Sequence, residues 1–169
     1  MEASRVDGRG AYLDLSRLTL AEYAGWGASL VLVGSLFLPS FGTSAANDHS
    51  RLAGAGGGDA VNAWQTFGLL DIVLVVASSA PFVLAWIVAR GHMLTWKPGE
   101  VTMVAGITAF VLVLCNGIVL GRPKDEATDS AIEISLQIGY FVALLACLGM
   151  AASGGQSRYK EGRKPPGVI

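Results

Sequence analysis

Four long apolar runs dominate the pattern of this chain. They cover residues 21–41, 64–89, 101–121 and 132–153, and shorter polar segments separate them. About 20 apolar residues cross the hydrocarbon layer of a bilayer as a helix, and a helix satisfies its own backbone hydrogen bonds there. The pattern therefore predicts an all-α membrane protein with one domain, an antiparallel bundle of four transmembrane helices in the lipid bilayer.

The composition agrees with a membrane bundle and disagrees with a soluble one. Charged residues make up 15% of the chain and hydrophobic residues 52%, whereas soluble domains carry about 25% charged residues. The runs also lack the polar stripe that repeats every ~3.6 residues along a soluble amphipathic helix. The net charge of −1 offers no concentrated basic face, so nucleic acid is not an expected partner.

The basic residues predict the orientation of the bundle. Nine of the 12 Lys and Arg residues lie in the first tail, the segment between runs two and three, and the last tail, 154–169. The two remaining connections hold Arg51, Arg122 and Lys124. Because basic loops stay in the cytoplasm, we expect both termini to be cytoplasmic.

Local signals predict how individual helices begin, bend and end. Thr19 and Glu22 have the spacing of a capping box, in which each side chain accepts a hydrogen bond from the other residue's backbone N–H. Pro81 lies within the second run and predicts a kink there. The pair Gly154-Gly155 predicts the end of the fourth helix.

Polar side chains recur at a similar predicted depth in three of the runs. Asp71 lies seven residues after the start of run two, Asn116 five before the end of run three, and Gln137 five after the start of run four. Glu133 shares a predicted helix face with Gln137, and Arg122 lies on the adjoining loop as a partner for Asp71. These five residues form a candidate polar pocket. Two alternatives are hydrogen bonding between helices and run borders displaced by a few residues.

Small residues form two further patterns. Gly117 and Gly121 have the spacing of a close helix contact in run three. Run four carries a small residue at every fourth position: Gly139, Ala143, Cys147 and Ala151. Such stripes pack helices either within one bundle or against a second copy or another membrane subunit.

Familiar catalytic chemistry finds no support in the spacing. Cys115 and Cys147 are predicted to differ in depth by roughly 13 Å at about 1.5 Å per residue, too far for a disulfide. His49 and His92 lie in segments predicted to face opposite sides of the membrane. We therefore expect no catalytic residues, no metal site and no cofactor.

One stretch resembles a known group of proteins. The segment Gly34-Ser35-Leu36-Phe37-Leu38-Pro39, followed by a Gly-rich loop and by Ala63-Trp64-Gln65-Thr66-Phe67-Gly68-Leu69-Leu70-Asp71, is similar to small uncharacterised four-span bacterial inner-membrane proteins. Ser40 departs from the aromatic residue that often follows Leu-Pro in that group. The resemblance implies a four-helix membrane fold, a location in a bacterial inner membrane, and no particular activity.

The sequence leaves three functions open. The first is a non-catalytic membrane subunit or scaffold that packs against itself, as a homo-oligomer, or against a larger membrane complex. The second is a pathway for a small solute or ion through the candidate polar pocket of Asp71, Asn116 and Gln137. A membrane enzyme is the third, and no convergent set of reactive groups supports it.

Overall fold

The computed structural model describes residues 18–46, 51–89, 97–120 and 134–161. These residues form mainly helices, with a small sheet at one end. The helices are α1 (Leu20–Ser35), α2 (Ala63–Thr66), α3 (Leu69–Ala89), α4 (Pro98–Leu114) and α5 (Ile138–Glu161), and the strands are β1 (Pro39–Thr43), β2 (Ala60–Asn62) and β3 (Ile134–Leu136).

Three helices in the described part of the chain are long and apolar enough to cross a membrane. Their spanning segments are Leu69–Ile87, Gly99–Val119 and Ile138–Ser157, and together they make the chain a membrane protein. Helix α1 is also apolar but has only 16 residues, about 24 Å at 1.5 Å per residue, which is short of the roughly 30 Å hydrocarbon layer. A fourth span through α1 therefore stays a prediction.

The three strands form an antiparallel sheet in the order β2-β1-β3. Phe41 on β1 pairs with Val61 on β2 and with Leu136 on β3. An irregularity between Pro39 and Phe41 shifts the register on the β2 side. All three strands join the same end of the bundle, because β1 follows α1 while β2 and β3 precede α3 and α5. We call this the sheet end.

The sheet corrects the all-α prediction and shortens two of the predicted spans. The first run, 21–41, ends as a helix at Ser35, and its last residues enter β1. The fourth run, 132–153, begins with strand residues, and its helix starts only at Ile138. The apolar pattern predicts helix for these residues because strand pairing depends on distant partners, which the pattern of a single run does not reveal.

Helix α1 begins as the sequence predicts. Thr19 is its N-cap, and the reciprocal bonds between Thr19 and Glu22 form the predicted capping box. Near its middle, the Trp26 indole N–H donates a hydrogen bond to the Pro81 carbonyl oxygen at 3.2 Å. Trp26 also stacks on Phe82, with ring centroids 5.5 Å apart. These contacts fasten α1 to α3 at the point where proline interrupts the α3 hydrogen bonds.

The second predicted helix, 64–89, is divided in two. Helix α2 ends at Thr66, and Gly68 has a positive φ of 57° before α3 begins at Leu69. Glycine adopts this left-handed conformation at little cost, so the chain turns there. Pro81 lies inside α3, which is continuous through it.

The last two long helices differ at their ends from the prediction. Helix α4 begins with Pro98 and is followed by a π-helical turn, Cys115–Val119. Helix α5 continues through Gly154-Gly155 to Glu161, so the predicted stop is wrong. The Cβ of any larger residue at position 154 would lie 2.6 Å from the Gly99 carbonyl oxygen. Gly154 therefore serves close helix packing and does not end the helix.

Helix α5 is the centre of the bundle. It packs most extensively against α4 and then against α1, while α3 packs against α1 and α4. The core is continuous from the helices into the sheet, where Phe41 and Ile134 are buried. The lipid-facing side of the bundle is apolar and exposed, as at Val76, Ile107 and Leu145.

Candidate functional site

Asp71 is the most unusual side chain of the described bundle. It lies in the first turn of α3, at the sheet end, and none of its surface is exposed. Neither carboxylate oxygen has a hydrogen-bond partner within the described part of the chain. A buried carboxyl group without partners is costly, so nearly all such groups in proteins are paired or hydrogen-bonded.

The depth of Asp71 differs from the sequence-based prediction, although its burial agrees with a pocket. Trp64 belongs to the separate helix α2, so Asp71 is only the third residue of the spanning segment that starts at Leu69. Protein atoms alone remove it from contact with solvent. Shielding by the fold, and not depth in the bilayer, makes this carboxyl group unusual.

The buried face of α3 connects Asp71 to the opposite end of the bundle. Residues at helical spacing on this face are all buried: Asp71, Leu74, Ser78, Pro81 and Leu84. Between Asp71 and the hydroxyl group of Ser78 lies Leu74, which has no exposed surface. Ser78 itself donates to the Val75 carbonyl oxygen at 2.7 Å. Apolar packing therefore separates Asp71 from the next polar group of this face.

Two of the four other predicted pocket residues, Gln137 and Asn116, lie within the described part of the chain. Gln137 precedes α5, where its backbone N–H donates to the Ser40 carbonyl oxygen at 2.9 Å and its side-chain amide donates to Ser135 Oγ at 3.1 Å. Gln137 thus belongs to the sheet. Asn116 is half-buried in the π-helical turn. The Asp71 oxygens have no hydrogen-bond partner among the described residues, so neither amide is bonded to them, and a shared pocket of these residues stays a prediction.

Tyr140 is a central residue of the sheet end. Its ring packs against Phe41 with centroids 5.8 Å apart, and Phe41 packs against Phe67 at 5.6 Å. Its hydroxyl donates to the Val113 carbonyl oxygen at 2.9 Å. A Cβ at Gly117 would collide with the Tyr140 ring, so glycine is required there.

The small residues of α5 lie against other parts of the same chain. A Cβ at Gly139 would lie 2.7 Å from the Pro39 carbonyl oxygen, and a Cβ at Gly106 would lie 2.5 Å from the Ala151 backbone nitrogen. Ala143 and Cys147 are buried between these contacts. This face of α5 is therefore occupied by α4 and by the start of β1.

Three predicted site residues lie outside the described part of the chain. They are Gly121, Arg122 and Glu133. Within the described ranges, no group of three or more His, Cys, Asp or Glu side chains is arranged to hold a metal ion.

A cleft at the opposite end of the bundle was not anticipated from the sequence. It lies between the start of α1, the second half of α3, the start of α4 and the end of α5. We call this the cleft end. The residues that line it are Ala21, Glu22, Gly25, Pro81, Leu84, Ala85, Gly99, Thr102, Ser153, Gly154 and Ser157. The sequence signal that could have indicated this cleft is the set of small and hydroxylated residues near the ends of the apolar runs.

No protein-family model, curated protein or solved structure matches the chain. The resemblance to small four-span bacterial membrane proteins therefore stays a prediction.

Proposed function

We propose that this protein is a small membrane pathway for a cation, with Asp71 as the residue that binds it. The proposal rests on one observation: Asp71 is completely buried, and both of its carboxylate oxygens lack a partner in the described part of the chain. A proton or a small cation would neutralise the charge that burial disfavours. Ionisable groups within membrane segments are rare and mark ion or proton pathways in many membrane proteins.

The arrangement of α3 supports a closed state of such a pathway. Leu74 on α3 and Leu32 on α1 have no exposed surface. Ser29, one turn before Leu32 along α1, is also buried, and its hydroxyl group has no partner among described residues. Polar groups thus lie on both sides of an apolar layer, and conduction requires that layer to open.

Cation flux through reconstituted protein tests the proposal. The full chain is placed in liposomes, and uptake of protons and of Na⁺ is followed with ion-sensitive dyes. We expect Asp71→Asn to lower flux by about tenfold or more, the effect of removing a charge from a binding site. Ser79→Ala, which changes an exposed hydroxyl group on the same helix, should conduct like the wild type. Equal flux through wild type and Asp71→Asn, or no flux above protein-free liposomes, would refute the pathway.

A membrane subunit or scaffold is the second candidate, and the sheet end favours it. Two exposed aromatic side chains, Phe37 and Trp64, pack with ring centroids 5.7 Å apart beside the sheet. The sheet holds together the connection between α1 and α2 and the connection that precedes α5. Together they form one surface for a partner. The small-residue stripe of α5 no longer argues for this function, because it contacts the same chain.

Mass measurement in native detergent separates the scaffold from the pathway. A scaffold predicts a stable assembly that Phe37→Ala together with Trp64→Ala weakens, while Asp71→Asn leaves it intact. A monomer without partners at all concentrations would exclude self-assembly through this surface.

A further inference from the structure

The cleft end contains a second polar site that is independent of Asp71. Its strongest feature is Ser157 on α5, which is only 3% exposed and lines the cleft. The hydroxyl oxygen of Ser157 has no hydrogen-bond partner within the described residues. Serine hydroxyl groups in helices usually satisfy themselves on a carbonyl oxygen one turn earlier. Ser153 does so, donating to Met150 at 2.8 Å, whereas Ser157 is left for a ligand.

The polar groups around the cleft are mainly acceptors. Ser153 uses its hydrogen on Met150, so its oxygen presents lone pairs to the cleft. Glu22 accepts the Thr19 N–H through Oε2, which leaves Oε1 for a ligand. Thr102 adds a third hydroxyl group. No basic side chain occurs among the described residues that line the cleft, and Lys97, two residues before Gly99, is exposed.

The charge of the cleft favours a cation. The helices α1 and α4 both begin here, and helix N-termini carry partial positive charge. Each has an acidic residue in its first turn, Glu22 and Glu100, that offsets this charge. Of these two residues, only Glu22 is among the described residues that line the cleft. One carboxylate is too few for the oxygen shell of a divalent ion, which takes several charged ligands. A single positive charge fits.

The walls of the cleft favour an organic cation over a bare ion. Pro81, Leu84 and Ala85 supply an apolar side on α3, and glycines of the other helices also line the cleft. Ser157 is the last residue of the spanning segment of α5, and Glu22 is the third residue of α1. The cleft therefore lies at the level where a spanning helix meets the lipid headgroups.

We propose that the cleft binds a primary ammonium group, with Glu22 providing the counter-charge and Ser157 a hydrogen-bond acceptor. The N–H donors of a primary ammonium match these acceptors, and its short carbon chain lies against Pro81 and Leu84. The same group occurs in free alkylamines and in the headgroup of phosphatidylethanolamine. Both sources use one recognition chemistry, and the experiment distinguishes them.

Calorimetric titration of the full chain in detergent with methylammonium chloride measures the site directly. We expect saturable binding that weakens about tenfold in Glu22→Gln and about threefold in Ser157→Ala, as one charged and one neutral hydrogen-bond partner are lost. Glutamine also completes a capping box, so Glu22→Gln keeps the start of α1. Gly25→Ala places a Cβ 2.9 Å from Ser153 Oγ beside the cleft and should also weaken binding.

Nanodiscs with equal parts of phosphatidylethanolamine and phosphatidylcholine test the lipid source. Preferential retention of phosphatidylethanolamine by wild type, lost in Glu22→Gln, would identify the headgroup as the ligand; methylammonium binding without lipid preference would identify a free amine. Either result supports the ammonium site. Tetramethylammonium, which has no N–H donor, should not bind. Equal binding of tetramethylammonium, equal binding by Glu22→Gln, or no binding of either source would overturn the proposal. None of these results depends on cation flux through Asp71.

Discussion

The two ends of the bundle are built from the same helices but packed in opposite ways. At the sheet end, the strands bring Phe41 between Phe67 and Tyr140, and these rings fill the space between the helices. At the cleft end, Gly154 lets the α5 backbone approach the α4 backbone closely, and the described residues that line the cleft include no aromatic side chain. Large side chains fill the sheet end, and the small residues of the cleft end leave a cleft between the helices.

The comparison teaches where an unpartnered polar group can persist. Asp71 is fully buried and has no hydrogen-bond partner among the described residues, whereas Ser157, which also lacks one there, lines the cleft. Burial without a partner makes the Asp71 carboxyl group energetically costly. The cleft beside Ser157 makes its hydroxyl group available to a ligand. The predictions below change one end or the other and are arranged from the largest expected effect to the smallest.

The largest effect is expected at Gly154, where two backbones meet at the cleft end. In Gly154→Ala the new Cβ would lie 2.6 Å from the Gly99 carbonyl oxygen and 2.9 Å from Met103 Cα. Backbone atoms cannot rotate away, so the free energy of unfolding should fall by about 3 kcal/mol. Unfolding in mixed detergent micelles measures the change. The adjacent Gly155→Ala is the control, because its nearest neighbour is a flexible Met103 sulfur at 3.6 Å. Equal stability of the two variants would contradict the close contact.

The second prediction concerns the enclosed carboxyl group of the sheet end. Asp71→Leu removes a buried polar group without a partner and should raise the free energy of unfolding by about 2 kcal/mol. Asp71→Asn keeps a polar group of the same shape and should change stability much less. Thermal unfolding in detergent compares the three proteins. A loss of stability in Asp71→Leu would show that the carboxyl group has a stabilising partner.

The third prediction tests the aromatic seal of the sheet end. Tyr140→Phe keeps the ring but removes the hydroxyl group that donates to Val113 at 2.9 Å, leaving a buried carbonyl oxygen with fewer partners. We expect a loss of about 1.5 kcal/mol. Ser79→Ala, at an exposed position, should change stability by less than about 0.5 kcal/mol in the same denaturation series. Equal changes in the free energy of unfolding for the two variants would show that the Tyr140 hydroxyl group does not stabilise the sheet end.

The smallest effect is expected at the N-cap of α1. Thr19→Ala removes one side of the capping box with Glu22 and should cost about 1 kcal/mol. Thr19→Ser retains a hydroxyl group and should stay close to wild type. Helicity and unfolding midpoint by circular dichroism measure both variants. A cost equal in the two variants would assign the effect to the lost methyl group.

The sequence by itself determined the features that depend on near neighbours along the chain. Four apolar runs long enough to span a bilayer predict four spanning helices, and the described part of the chain contains three helices of that length and composition. The Thr19–Glu22 spacing predicts a cap that forms. Asp71 was also recognisable, because a carboxyl group within an apolar run is conspicuous in any fold.

Only the tertiary structure decided the features that join distant segments. The sheet pairs Phe41 with Leu136, nearly a hundred positions apart, and converts the ends of two predicted helices into strands. The same pairing brings Gln137 beside the sheet, where it bonds to Ser40 and Ser135. The cleft likewise requires residues from four helices. The periodicity of apolar residues indicates which face of a single helix or strand is buried. The sheet and the cleft depend on which of these faces meet, and packing across the whole bundle decides that.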